Sequence, residues 1–198
     1  MNKNKITLIG TFEDDLSYLY EYNGEKFYTG KMVTMRMSHT ADVCDVVISE
    51  RLIETLNTKG RRCEINGSIR TRNEEGHLIV YVFAEGMTET DVAIDFNVFE
   101  VEGFICKEPI LRSTPQGRNI CDIILASNRG NAKSDYLPCI AWSRCAKFVG
   151  RQAVGTKVEV SGRLQSRMYN KKINEELSET RTAYELSICS LKVGDDEW

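Results

Sequence analysis

The chain has 198 residues, 28% of them charged and 41% hydrophobic, with a formal net charge of −3. Those are the proportions of an ordinary packed protein, and no apolar run approaches the roughly 20 residues that a membrane-spanning helix needs. Residues 1–5 are polar and lead straight into an alternating apolar segment, so no secretory leader is expected and the cytoplasm is the expected compartment.

Residues 6–12 alternate as a first strand. Residues 18–22 and 25–28 flank Asn23-Gly24, a pair that supplies the positive φ of a type I′ turn, and are expected to form a hairpin. Strands follow over 31–38 and 42–48. Ser49 is placed to cap a helix over 50–59, which Gly60 ends. Strands 62–72 and 78–84 close the series around a turn at 73–76. A second series then repeats the first. Its strands are 98–106, 120–127 and 136–142, with Pro115-Gln116-Gly117 turning into the second of them. A helix is expected after Ser143, ending at Gly155, and strands 157–169 and 182–191 complete it.

The two series match residue by residue. Residues 60–72 align without a gap on 155–167, so that Gly60, Glu64, Gly67, Thr71 and Arg72 fall on Gly155, Glu159, Gly162, Ser166 and Arg167. Asn4 stands six residues before Gly10, as Asn97 does before Gly103. Such self-similarity marks a duplicated unit. Five strands with one short helix between the third and fourth is the order of the OB-fold, a five-stranded Greek-key barrel. The expected fold is therefore all-β: two tandem OB-folds, over 1–92 and 97–193, followed by an acidic tip at 194–198. The join at 91–96 has no Pro/Gly/Ser run, so the barrels are expected to pack together.

Charge divides the copies. Residues 1–96 hold 11 Lys+Arg against 16 Asp+Glu, a net of −5, whereas 97–198 hold 15 against 13, a net of +2. Different partners are expected for the two. The seven cysteines form no Cys-x-x-Cys pair and the histidines are only His39 and His77, so no metal or other cofactor is expected. The cysteines read as reduced thiols that behave as small hydrophobes.

Single strands are held by cationic grooves with aromatic rings on which bases stack. In the strand over 157–169, Val158, Val160, Gly162, Leu164 and Met168 alternate inward. The other face then carries Lys157, Arg163, Gln165, Arg167 and Tyr169, either a binding stripe or an ordinary solvated face. In the third strand Leu137, Cys139 and Ala141 suit the interior, which leaves Tyr136 and Trp142 opposite; Trp142 is read as a stacking ring in preference to core.

Residues Glu108-Pro109-Ile110-Leu111-Arg112-Ser113-Thr114-Pro115-Gln116-Gly117, Leu125-Ala126-Ser127, Ile140-Ala141-Trp142 and 155–169 together resemble the bacterial single-stranded DNA-binding proteins over nearly all of 97–193. The resemblance implies that Tyr136, Trp142 and Tyr169 stack on bases. A further family aromatic falls near Asn131, which offers no ring, while Arg129 and Lys133 in that loop are expected to hold phosphates. It also implies oligomers: two barrels per chain suggest a homodimer of four OB-folds.

The first copy keeps the cations Arg62, Arg70 and Arg72 but has no aromatic on its third strand, and Glu74 stands where the second has Tyr169. Tyr18, Tyr20 and Tyr22 alternate onto one face of its hairpin, as a stacking platform or, preferred here, as cross-strand packing or a subunit contact. The tip residues Asp195, Asp196, Glu197 and Trp198 resemble the family's acidic ending that recruits replication and repair proteins, here without a long linker. The expected function is non-enzymatic, sequence-independent binding of single-stranded DNA in replication, recombination or repair, mainly through the second copy. The alternative is an accessory interaction module, primosomal or recombinational, with weak nucleic-acid binding.

Overall fold

The computed structural model describes residues 3–74, 76–130, 133–172, 178–194 and 196–197. Its first half runs β1 (Asn4–Phe12), β2 (Ser17–Tyr22), β3 (Glu25–Met35), β4 (Ala41–Ser49), a single 3₁₀ turn (Glu50–Leu52), β5 (Arg62–Glu74) and β6 (His77–Glu89). The second runs β7 (Phe96–Ile105), β8 (Ile110–Ser113), β9 (Asn119–Asn128), β10 (Ser134–Trp142), α1 (Ser143–Val149), β11 (Lys157–Lys172), β12 (Ser178–Val193) and β13 (Asp196–Glu197).

The strands close on themselves twice. β1 pairs with β3 and β5, β3 with β4, β4 in parallel with β6, and β6 with β5, which completes a five-strand circuit. β7, β9, β10, β12 and β11 repeat that circuit, with β10 and β12 the parallel pair. β1 and β7 also pair with each other, Ile6 opposite Phe99, and one continuous sheet spans the chain. Alternation fills the interior: Ile6, Leu8 and Phe12 of β1 and Phe99, Val101 and Ile105 of β7 are buried in a single apolar cluster.

The duplicated glycines Gly67 and Gly162 sit at β-bulges in equivalent strands. A Cβ on either would run into a facing carbonyl oxygen, that of Phe83 or Ser187, so only glycine lets the bulged strand approach its neighbour.

Four local expectations are corrected. The helix over 50–59 shrinks to one 3₁₀ turn, capped as expected by Ser49 Oγ on the Arg51 amide. Ile53, Thr55 and Thr58 are poor helix formers, and the segment is instead pinned to the loop before β2: Leu16 N–H bonds Leu56 O, and the Thr58 hydroxyl bonds Asp14 O. Helix α1 stops at Val149, because Gly150 opens a short turn that runs to the positive-φ Gly155. Met168 is 77% exposed: β11 leaves β7 after Gly162 and, beyond Ser166, where Asp42 still holds it, runs on with β12 as a two-stranded ribbon. A bulge between Tyr18 and Tyr20 breaks the expected shared face, so that Tyr18 packs on Tyr28 and Tyr20 on the adjacent Phe27.

Candidate nucleic-acid interface

Trp142 ends β10, and Ser143, at φ 52°, swings the chain into α1. Its indole N–H donates to Ser187 Oγ of β12 at 3.0 Å, which fixes the ring's edge and leaves the side chain half-buried. Beside it a concave groove of about 680 Å³ is lined by Arg163 and Arg167 of β11, Arg118 of the turn before β9, and Arg36 from the first half. Arg163 is half-buried, and its Nε has no partner among the described residues; its nearest hydrogen-bonding contact is Gln165 Oε1 at 3.5 Å. Arg167 meets Glu185 at 3.2 Å and lies over the Tyr169 ring, 5.8 Å from its centroid. Lys157, at the start of the same stripe, is paired with Glu102 at 3.0 Å.

The structure thus gathers Trp142, Arg163 and Arg167 in one groove, with Tyr169, 37% exposed, at its continuation. Tyr136 is separate: its ring is 52% exposed, and its backbone N–H donates to Thr71 Oγ1 of the first half at 3.1 Å. Lys133 is exposed in the β9–β10 turn. Arg129 is not a free cation. Its guanidinium grips the buried Asp135 through two hydrogen bonds and also donates to Thr71 O, and the bond to Asp135 holds its pKa above the usual arginine value. In the first half Arg70 lies over Phe83 and Arg72 over Tyr81, at 4.9 and 5.3 Å from the ring centroids. Asn131, Asp195 and Trp198 lie outside the described residues, as do the side chains of Asp196 and Glu197, whose backbone pairs with β12.

Arg129 belongs to a joint that the chain makes twice. Asp135 accepts from the Thr71 amide at 2.6 Å, while Asp42 accepts from the Ser166 amide at 3.0 Å and is gripped by Arg36 at 2.5 and 2.6 Å. Asn4 clamps both backbone groups of Ile69, and Asn97 both of Leu164. Each half therefore inserts one carboxylate into the other's fourth strand, as the two sides of an isologous dimer would. Arg36, Asp42 and Asp135 escaped the sequence reading, although the same six-residue Arg-to-Asp spacing before β4 and β10 marks them.

Paired five-strand barrels, each with an arginine-bearing fourth strand, define an all-β OB-fold protein with a cationic, aromatic-edged groove. The single-strand binding protein family matches residues 96–193. Single-stranded DNA-binding protein B of Bacillus subtilis (strain 168) is 35% identical over 41% of this chain and 75% of its own length. Single-stranded DNA-binding protein A of that strain is 36% identical over 34% of this chain, which spans only 43% of that relative. The chain belongs to the single-strand binding protein family. Among solved structures, wild-type single-stranded DNA binding protein from Thermus aquaticus shares the fold across 98% of this chain and 94% of its own, with TM-score 0.78 and 21% identity. A deletion mutant of the Thermus protein matches at the same TM-score and 22% identity, over 100% and 97%.

Proposed function

We propose that the chain binds single-stranded DNA, with little sequence preference, in the groove of its second half, and that residues 97–193 are the binding unit while 1–92 form a second, supporting barrel. The observation that carries this reading is the groove itself, lined by Arg163, Arg167 and Arg118 beside the half-exposed Trp142. Guanidinium groups in such a groove donate charge-assisted hydrogen bonds to phosphate oxygens. The indole, held at its edge by Ser187, keeps a face for a base. Arg167 and Tyr169 extend the track, Arg118 and Lys133 add exposed positive charge, and Tyr136 offers a further ring near the joint.

Arg129 drops out of the phosphate contacts because Asp135 neutralises it. The family is non-catalytic, and the reading is of a binder that works in replication, recombination or repair in the cytoplasm. Two copies would join as a dimer of four barrels, and the acidic tip at 194–198 would recruit replication and repair proteins. No helix among the described residues is long and apolar enough to cross a membrane.

The test is a fluorescence-anisotropy titration of labelled oligo-dT with wild type and with Trp142→Ala combined with Tyr169→Ala. Each base stack is worth about 1–3 kcal/mol, so the folded double variant binds at least tenfold more weakly. Equal affinity overturns the site.

A further inference from the structure

Two of the chain's seven cysteines line the Trp142 groove. β10 and β12 run parallel with Ala141 opposite Ile188, and Trp142 and Cys189 follow those two residues. The indole N–H bonds Ser187 Oγ, and the chain then turns at Ser143. That turn places Cys145 in the first turn of α1, which packs on β12. Thiols distant in sequence thus meet beside the ring.

Their settings differ. Cys145 is half-buried and packs against the core, and burial, followed by the neighbouring Cys189 thiol, raises its pKa. Cys189 is exposed, and Arg118 and Arg163 line the same groove. Reactive thiols occupy such partly exposed, electropositive places. Cys106 and Cys139 also neighbour each other, but Cys139 is enclosed in the core, out of reach of an oxidant.

We propose that Cys145 and Cys189 are an oxidisable dithiol whose disulfide weakens binding in the Trp142 groove, an inference whose second part rests on the function proposed above. The oxidant is a peroxide. The Cys189 thiolate attacks one oxygen of hydrogen peroxide, the O–O bond breaks, and the leaving hydroxide takes up a proton as water. The Cys145 sulfur then attacks the sulfenic sulfur of Cys189. The S–S bond forms, the S–O bond breaks, and the departing oxygen leaves as a second water with the Cys145 proton. The thiols give up two electrons in all, and the peroxide takes them. Joining the sulfurs draws the first turn of α1 towards β12. Trp142 immediately precedes that turn, so its ring moves off the Ser187 bond that orients it towards the Arg163–Arg167 track.

The experiment treats the full-length protein with a small excess of hydrogen peroxide, maps it by mass spectrometry without reduction, and titrates labelled oligo-dT. Wild type is expected to yield a linked Cys145–Cys189 peptide and to bind roughly fivefold or more weakly, the loss of one stacked base, until a thiol reductant restores it. Cys145→Ser, which keeps the exposed thiol, is expected to yield no linked peptide and to hold its own affinity within about twofold on the same treatment. Absence of the linked peptide from folded wild type overturns the dithiol. A linked peptide with unchanged affinity overturns its effect on the groove, as does an equal loss in Cys145→Ser. Reduced wild type that fails to bind oligo-dT overturns the proposed function and that effect with it, whereas the linked peptide decides the dithiol by itself.

Discussion

Asp135→Ala tests whether the halves are fastened by the two buried carboxylates. The substitution removes the acceptor of the Thr71 amide and hydroxyl, and the counter-charge of Arg129. An orphaned amide costs about 1–3 kcal/mol, and breaking a fully buried ion pair about 3–5 kcal/mol. The Arg129 side chain is 24% exposed and regains some water, so the sum falls near the lower end, about 4 kcal/mol. At this chain length that lowers Tm by about 8–16 °C. Asp42→Ala removes the mirror-image contacts to Arg36 and Ser166, so it is expected to cost the same within about 1 kcal/mol. Urea unfolding followed by circular dichroism measures both, with Arg61→Ala in the exposed pair with Glu89 as a control expected to stay under about 1 kcal/mol. A loss at Asp135 no larger than the control's would refute the fastening.

Other expectations follow from the same geometry. Gly67→Ala and Gly162→Ala each force a Cβ onto a carbonyl oxygen at a bulge; each is expected to cost more than about 2 kcal/mol, against about 0.5 kcal/mol for a surface substitution, in the same unfolding assay. The salt dependence of oligo-dT affinity separates free from neutralised cations. Arg163→Gln lowers the log–log slope by about 0.7, whereas Arg129→Gln leaves the slope and lowers Tm, and equal slopes for both would contradict the assignment. Burial pushes the thiols of Cys44 and Cys139 well above the ordinary range, and that of Cys121 up to about 11. Cys44 and Cys139 are therefore expected to resist a thiol reagent until the chain unfolds, while the exposed Cys189 reacts in the native protein.

The barrels were legible because their signals are local and repeated. Asn23 and Gly24 both take positive φ as the hairpin dipeptide demands, and Gly67 and Gly162 mark the same bulge twice. Helix over 50–59 was misread because Ser49 and Gly60 are good punctuation for a helix, yet they flank a segment held by Asp14 and Leu16, contacts that no local pattern encodes. One inserted residue in β2 undid the expected tyrosine face, since period-two arguments fail at a bulge. Arg129 illustrates the limit for charge: its type suits a phosphate, but only the fold reveals that Asp135 holds it. The contact of Phe27 with Phe83 was hidden for a related reason, because β3 and β6 come together only when the barrel closes, each beside β4.

The most direct test of the central claim uses Trp142 as its own reporter. The chain has two tryptophans, so Trp198→Phe leaves Trp142 as the sole indole. Titration of that protein with oligo-dT at low salt is expected to quench its emission to a saturable limit, with a duplex of equal length giving little change. Emission that does not respond to oligo-dT, or responds equally to the duplex, would contradict a single-strand site at the Trp142 groove.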